Sequence, residues 1–264
     1  MAGPTTAERG DRWRESSGPP PIRRLRRPRP RTVAVGALAA ALLGGGALWL
    51  LYGSAWTRVE RVTVSGTRVL TPAQVRAAAA VPTGDPLASV DTGAVAARLR
   101  RRLSRVDSVD VERSWPHGIA LKVVERTAVM VEDRGGKFVE VDAEGVRFAT
   151  VAQAPTGAPV LRLSLSRTGS AAASARRFDE AALVREAVAV AGRLPRAVAG
   201  QTRTVNVRTY DDISLELTGG RTVNWGSGED GAGKARALTA LLKAAPRARH
   251  FDVSAPTAPA SSTS

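Results

Sequence analysis

The sequence predicts an α+β protein: a single transmembrane helix, a small β-α-α-β-β domain, then a larger mixed β-sheet domain with flanking helices. Three observations carry this. A long charge-free apolar run follows an arginine cluster near the N-terminus. Strand and helix signals then follow one another in a fixed order over about seventy residues. Beyond them, most segments alternate apolar and polar residues around one or two amphipathic stretches.

The chain has 264 residues, and residues 1–31 hold nine arginines against three acids. Arg23, Arg24, Arg26, Arg27, Arg29 and Arg31 crowd the last part of this segment, which is also rich in Pro and Ser and reads as a disordered basic tail. No charge occurs from Thr32 to Thr57. Residues 32–53 read as the transmembrane helix, because about twenty residues at about 1.5 Å each match a hydrocarbon layer of about 30 Å. Trp49 and Tyr52 fit an interfacial aromatic belt. A cleaved signal peptide is the rival reading, since Gly53-Ser54-Ala55 offers small residues at cleavage spacing. The apolar run, however, exceeds the usual h-region of about 7–15 residues. An uncleaved signal anchor fits best. The arginines then keep the N-terminus cytoplasmic and residues 54–264 outside, and the tail touches anionic lipid.

The first exported domain, 57–126, opens with Arg58–Val64, where Val62 and Val64 alternate with polar residues. Thr71-Pro72-Ala73-Gln74 reads as a helix start with a capping box and Pro at the first helical position. Asp91 caps a second helix whose apolar positions Val95, Leu99, Leu103 and Val106 follow helical spacing, with Arg98, Arg100, Arg101 and Arg102 on its other face. That basic face reads as solvated or membrane-proximal. Val109 and Val111 begin a strand, Ser114-Trp115-Pro116-His117-Gly118 turns the chain, and Ile119, Leu121 and Val123 return it.

The second domain, 127–254, contains an amphipathic helix over 178–194 with Leu183, Ala187, Val190 and Leu194 on one face. Val205 and Val207, then Ile213, Leu215 and Leu217, make two alternating strands around Tyr210-Asp211-Asp212. Arg221–Trp225 is a further strand, Ala235–Ala244 a helix, and Arg249–Val253 a short closing strand. Residues 255–264, rich in Pro, Ser and Thr, read as a disordered tail.

Composition narrows the chemistry. Cysteine is absent, which excludes disulfides, thiol nucleophiles and thiolate-held metals. Two histidines, His117 and His250, leave little for zinc or imidazole catalysis. The net charge of +15 comes almost entirely from arginine, a bias that reads as a GC-rich, actinobacterium-like genome. The exported part lacks a basic stripe with interleaved aromatics, so nucleic acid is not an expected partner. Gly228-Glu229-Asp230-Gly231-Ala232-Gly233-Lys234 approaches a P-loop, but Ala235 stands where Ser or Thr would hold magnesium, and two carboxylates would repel phosphate. It reads as a strand-to-helix loop. Asp211-Asp212 reads as turn chemistry and His117 as an exposed turn residue. No enzyme and no cofactor are expected.

The order strand–helix–helix–strand–strand, with Gly66-Thr67 after the first strand, the Trp115-Pro116 hairpin and the Val123-Val124-Glu125-Arg126 exit, resembles a POTRA domain of the FtsQ/DivIB cell-division family. Phe138–Val146, with its Asp142-Ala143-Glu144-Gly145 turn, and Ala158-Pro159-Val160-Leu161 resemble the family's next segment. The resemblance implies a divisome scaffold at the septal membrane. It also implies that the last strands bind an FtsB/DivIC-type bitopic protein paired with an FtsL-type one, and through them septal wall synthesis. Arg249, His250, Phe251, Asp252, Val253 and Ser254 match the binding edge, with Phe251 or Val253 as apolar anchors. Strand addition to an open sheet edge is the physical basis. Two other classes stay open: a POTRA-type transport or assembly factor, and a membrane-anchored module that binds anionic wall polymers.

Overall fold

The computed structural model describes residues 30–164 and 177–263. Helix α1 (Pro30–Leu48) continues into a wider π turn over Trp49–Gly53, and Pro30–Gly53 is long and apolar enough to cross a membrane. Among the described residues it is helical from Pro30, two residues before the expected 32. Arg31 lies in its first turn; Arg23, Arg24, Arg26, Arg27 and Arg29 lie outside the described residues.

The first domain after the apolar helix has the expected order: β1 (Arg61–Ser65), α2 (Pro72–Ala79), α3 (Thr92–Arg102), β2 (Val106–Ser114) and β3 (Gly118–Glu125). Its sheet runs β1-β3-β2, with β1 parallel and β2 antiparallel to β3. Thr71 and Gln74 form the full capping box, and Asp91 accepts the Ala94 N–H. Val75, Leu87, Val95, Leu99, Ile119 and Leu121 bury together between helices and sheet. Val106 is not on α3. Leu103 adopts an extended conformation that ends the helix, and Val106 starts β2 with its side chain buried. Two of the α3 arginines are not free surface either: Arg98 donates to the carbonyls of Ala79 (2.7 Å) and Ala80 (3.1 Å), and Arg102 to that of Ala78 (3.5 Å). They cap the C-terminus of α2, where carbonyls lack helical partners.

The second domain is one mixed sheet, of nine strands among the described residues. These are β4 (Met130–Asp133), β5 (Phe138–Val141), β6 (Arg147–Val151), β7 (Val160–Leu163), β8 (Thr202–Thr209), β9 (Asp212–Leu217), β10 (Arg221–Gly226), β11 (His250–Asp252) and β12 (Ala260–Ser262). Their order is β12-β11-β10-β9-β8-β7-β4-β5-β6. Helices α4 (Glu180–Arg193), α5 (Arg196–Ala199) and α6 (Gly231–Ala244) lie in the connections between parallel neighbours, β7 to β8 and β10 to β11. Parallel pairs need such crossovers. Leu183, Val184, Val190 and Leu238 pack on Val205, Leu215, Val223 and Trp225, so the helices cover one sheet face. The alternate residues Asn206, Ser214, Glu216, Asn224 and Asp252 point the other way, half-buried or exposed.

Helix α6 begins at Gly231, four residues before the expected Ala235, because Asp230 caps it by accepting the Gly233 N–H at 3.0 Å. The near-match to a P-loop is thus this helix start. Lys234 is buried and donates to the Ser227 carbonyl at 2.7 Å, closing the loop on itself. Burial pushes its ammonium pKa down in spite of Glu229, Asp230, Asp211 and Glu186 nearby.

The expectation of a disordered C-terminus is corrected at Ala260–Ser262, which form β12 antiparallel to β11. Pro256 and Pro259 flank a turn in which Ala258 N–H reaches the Ala255 carbonyl at 3.0 Å, sending the chain back along β11. Pairing with a neighbouring strand, rather than any preference of Ala and Ser, makes this strand.

Gly66 has φ +84°, and a Cβ there would meet the Val123 carbonyl oxygen at 2.1 Å; Gly84 has φ +91° with open space around it. Both Gly66→Ala and Gly84→Ala incur the positive-φ penalty, but only the first collides with backbone. Gly66→Ala should therefore lower stability by at least about 1 kcal/mol more than Gly84→Ala, measured by thermal unfolding of the full chain in detergent.

Candidate partner-binding edge

Strands β10, β11 and β12 make the terminal part of the sheet. Val223 faces Phe251, and Phe251 faces Ser261 across the two ladders. Phe251 is 2% exposed and Val253 fully buried, both in the cluster with Val223 and Trp225. The expectation that they are anchors for a partner is corrected: they point into their own core. The expectation that Arg249–Ser254 forms the sheet's edge is corrected with it, since β11 has β10 on one side and β12 on the other. The physical reason is the chain reversal after Ser254.

The remaining residues of that segment hold the edge in place. The Thr222 hydroxyl and His250 Nδ1 share a hydrogen bond at 2.7 Å, and the Asn224 amide donates to Asp252 Oδ2 at 3.0 Å. Asp252 Oδ1 accepts the Ser254 N–H (2.9 Å) and hydroxyl (2.7 Å), tying down the turn that starts the reversal. Burial pushes the Asp252 carboxyl up, but the Ser254 and Asn224 donors outweigh it and hold it below the usual range.

Hydrogen bonds from Thr222 N–H to the Arg249 carbonyl (2.8 Å) and from Val253 N–H to the Asn224 carbonyl (3.0 Å) set the alternation in β11. His250 and Asp252 therefore turn their backbone groups toward β12, where they pair with Ser262 and Ala260. The Ser261 N–H and C=O are left on the outer side. Small exposed residues at 260–262 leave a hollow of about 280 Å³ on the open sheet face, bordered by Thr222, Asn224, His250 and Asp252. A backbone edge beside a shallow polar hollow suits an extended peptide.

The other end of the sheet meets the first domain. Arg105 pairs with Glu140, whose side chain is 7% exposed, and Arg126 pairs with Asp142 at 3%. Arg126 also reaches Asp107 at 3.4 Å, and its N–H donates to the Arg105 carbonyl at 2.8 Å. The Arg105 guanidinium lies 5.1 Å from the centre of the Phe148 ring in β6, and Ser104 donates to the Phe148 carbonyl at 2.6 Å. Asp142 does a second task, accepting N–H groups of Glu144 (3.0 Å) and Val146 (2.7 Å) to shape its own turn. Glu125, the neighbour of Arg126, works inside the first domain by accepting N–H groups of Arg68 (2.8 Å), Val69 (3.1 Å) and Leu70 (3.0 Å). Burial pushes the Glu125 carboxyl up, but these three donors and the Arg105 charge outweigh it, so its pKa lies below the usual value.

Sequence reading missed β12 and the junction. The arginines and carboxylates were visible, but their partners lie 35 and 16 positions away, beyond any local spacing rule. The Asp142 turn motif was the one available signal. Among the described residues there is no cluster of three or more His, Asp or Glu fit to hold a metal.

An apolar helix that fits a membrane anchor, a β-α-α-β-β domain and an open-ended mixed sheet define a protein of the POTRA class. Comparison with known proteins agrees. The family model "POTRA domain, FtsQ-type" matches residues 57–126, and "Cell division protein FtsQ/DivIB, C-terminal" matches 129–254. The Cell division protein FtsQ of Streptomyces coelicolor is 70% identical over 264 residues, all of both chains. That of Mycolicibacterium smegmatis is 34% identical over 210 residues, 80% of this chain and 59% of its own. The major extracytoplasmic domain of DivIB from Geobacillus stearothermophilus matches 47% of this chain and 96% of its own, at 20% identity and a TM-score of 0.32. The chain belongs to the FtsQ/DivIB family of bacterial cell division proteins.

Arg126→Ala leaves the nearly buried Asp142 carboxyl without its guanidinium, and should cost about 3–5 kcal/mol. Adding Asp142→Asn, which keeps the turn's acceptor, should recover part of that loss in the same unfolding assay. A carboxyl whose folded-state pKa is lowered stabilises the fold above its unfolded pKa and loses this as pH falls through the folded value. The gap in melting temperature between the parent and Glu125→Gln should accordingly be full at pH 7 and close below the ordinary carboxylate range.

Proposed function

We propose that this chain is a single-pass scaffold of the divisome that holds an FtsB/DivIC-type partner, and through it an FtsL-type one, by strand addition at β12. The arginine-rich tail sets the N-terminus in the cytoplasm and both folded domains outside, and the protein acts at the septum, upstream of septal wall synthesis. The POTRA domain contacts other division proteins. The role is binding rather than catalysis.

The observation that carries this reading is the open end of the sheet at β12, with the Ser261 backbone groups turned outward. A partner strand laid there gains main-chain hydrogen bonds without displacing any strand among the described residues. Substituting Phe251 would not test it, because removing a buried ring from the core costs about 3–5 kcal/mol in its own right.

Ser261→Pro removes the outward N–H and spares the bonds to β11, since proline is tolerated on edge strands. The expected result is an unchanged thermal transition with at least a tenfold drop in FtsB-type partner co-purified from membranes. Parental recovery of the partner would contradict edge pairing.

A further inference from the structure

Two tryptophans stand exposed near the start of the POTRA domain: Trp56 at 66% and Trp115 at 51%. They are 59 positions apart in sequence, yet the fold brings the hairpin that carries Trp115 to the point where the chain enters the domain. The His117 carbonyl accepts the N–H groups of Glu60 at 3.0 Å and Arg61 at 3.3 Å. Trp115 and Arg61 border the same shallow hollow of about 130 Å³.

The chain reaches this point over a very short path. The Thr57 hydroxyl donates to the Leu51 carbonyl at 3.2 Å, so the last apolar residues stand one hydrogen bond from Thr57. From Thr57 to Glu60 the backbone spans at most about 10 Å. The headgroup layer outside a hydrocarbon core is about 6–8 Å deep on each side. A tryptophan at the hairpin tip is therefore within reach of it.

The side-chain chemistry fits that layer. Indole is a large apolar ring with one N–H donor, and such rings concentrate where one end is dry and the other wet. A single exposed apolar residue is ordinary on a protein surface. Here two exposed indoles flank the exposed guanidinium residues Arg58 and Arg61, with Glu60 as the acid between them. The group continues the aromatic series of Trp49 and Tyr52 at the end of the apolar helix.

We propose that the Trp115 hairpin is a second membrane contact. The indoles of Trp56 and Trp115 rest in the headgroup layer and Arg61 faces lipid phosphates, while Arg58 donates to the Gly84 carbonyl at 2.7 Å. This contact sets how the POTRA domain stands on the bilayer. The proposal rests on the reading of Pro30–Gly53 as a membrane span.

The absence of native cysteine makes the test clean. Full-length protein carrying a single labelled cysteine is reconstituted in phosphatidylcholine–phosphatidylglycerol vesicles containing nitroxide lipids, with the spin label at the headgroup or deep in the acyl chain. Ser114→Cys reports the hairpin, exposed Arg203→Cys in β8 is the distal reference, and Leu42→Cys reports the anchor. The expected result is several-fold stronger headgroup quenching at position 114 than at 203, falling to the reference level when Trp115→Ser is added. Quenching at 114 no stronger than at 203, or unchanged by Trp115→Ser, overturns the proposal while a Leu42→Cys label quenched by deep nitroxide keeps the anchor. A Leu42→Cys label untouched by deep nitroxide takes the anchor reading and this proposal down together.

Discussion

Two arginines on the β-α-α-β-β domain make one body of two sheets. Arg105 and Arg126 each reach across to a carboxylate of β5 or the turn that follows it, Glu140 and Asp142, and both carboxylates are nearly sealed from water. Charges in that position are stable only as pairs, because an unpartnered buried carboxylate must either take up a proton or bring water in. The pairing therefore ties the integrity of each domain to the placement of the other, and residues 51–264 behave as a single compact unit.

That junction also decides how the large sheet ends. A sheet of nine strands has two rows of unpaired backbone groups, and each is a template for another strand. At β6 one carbonyl is taken by Ser104 and the adjacent ring is covered by Arg105. At β12 no element of the described chain lies beyond Ser261. One end is built into the molecule and the other faces outward, so the two ends of the sheet are not equivalent. The helices are confined to one face of the sheet, so the approach to β12 from the opposite face is lined by short polar side chains.

Much of this was legible in the sequence where local physics decides the outcome. The capping box at Thr71, the cap at Asp91 and the alternation through Val205–Leu217 each depend on residues within one turn or one strand. The boundary at Val106 was misread because an apolar residue at helical spacing also suits the first position of a buried strand. The edge was harder. Phe251 in a closing strand reads as an outward anchor if the chain stops there, and as core once Ala260–Ser262 turns back over it. Ala and Ser carry no strand signal, and the Pro residues around them suggest disorder. Of the ionic junction only the Asp142 turn was legible, since nothing in a sequence states that Arg105 and Glu140 will meet.

The most direct test of the account is hydrogen–deuterium exchange on the full chain in nanodiscs, with and without the extracytoplasmic part of an FtsB-type partner. Strand addition predicts that amides across 260–263 exchange more slowly when the partner is present, while those of β6 and of β2 stay as they were. Protection that falls on β2 instead, with 260–263 unchanged, would place the partner on the POTRA domain and contradict the assignment of β12 as the docking edge.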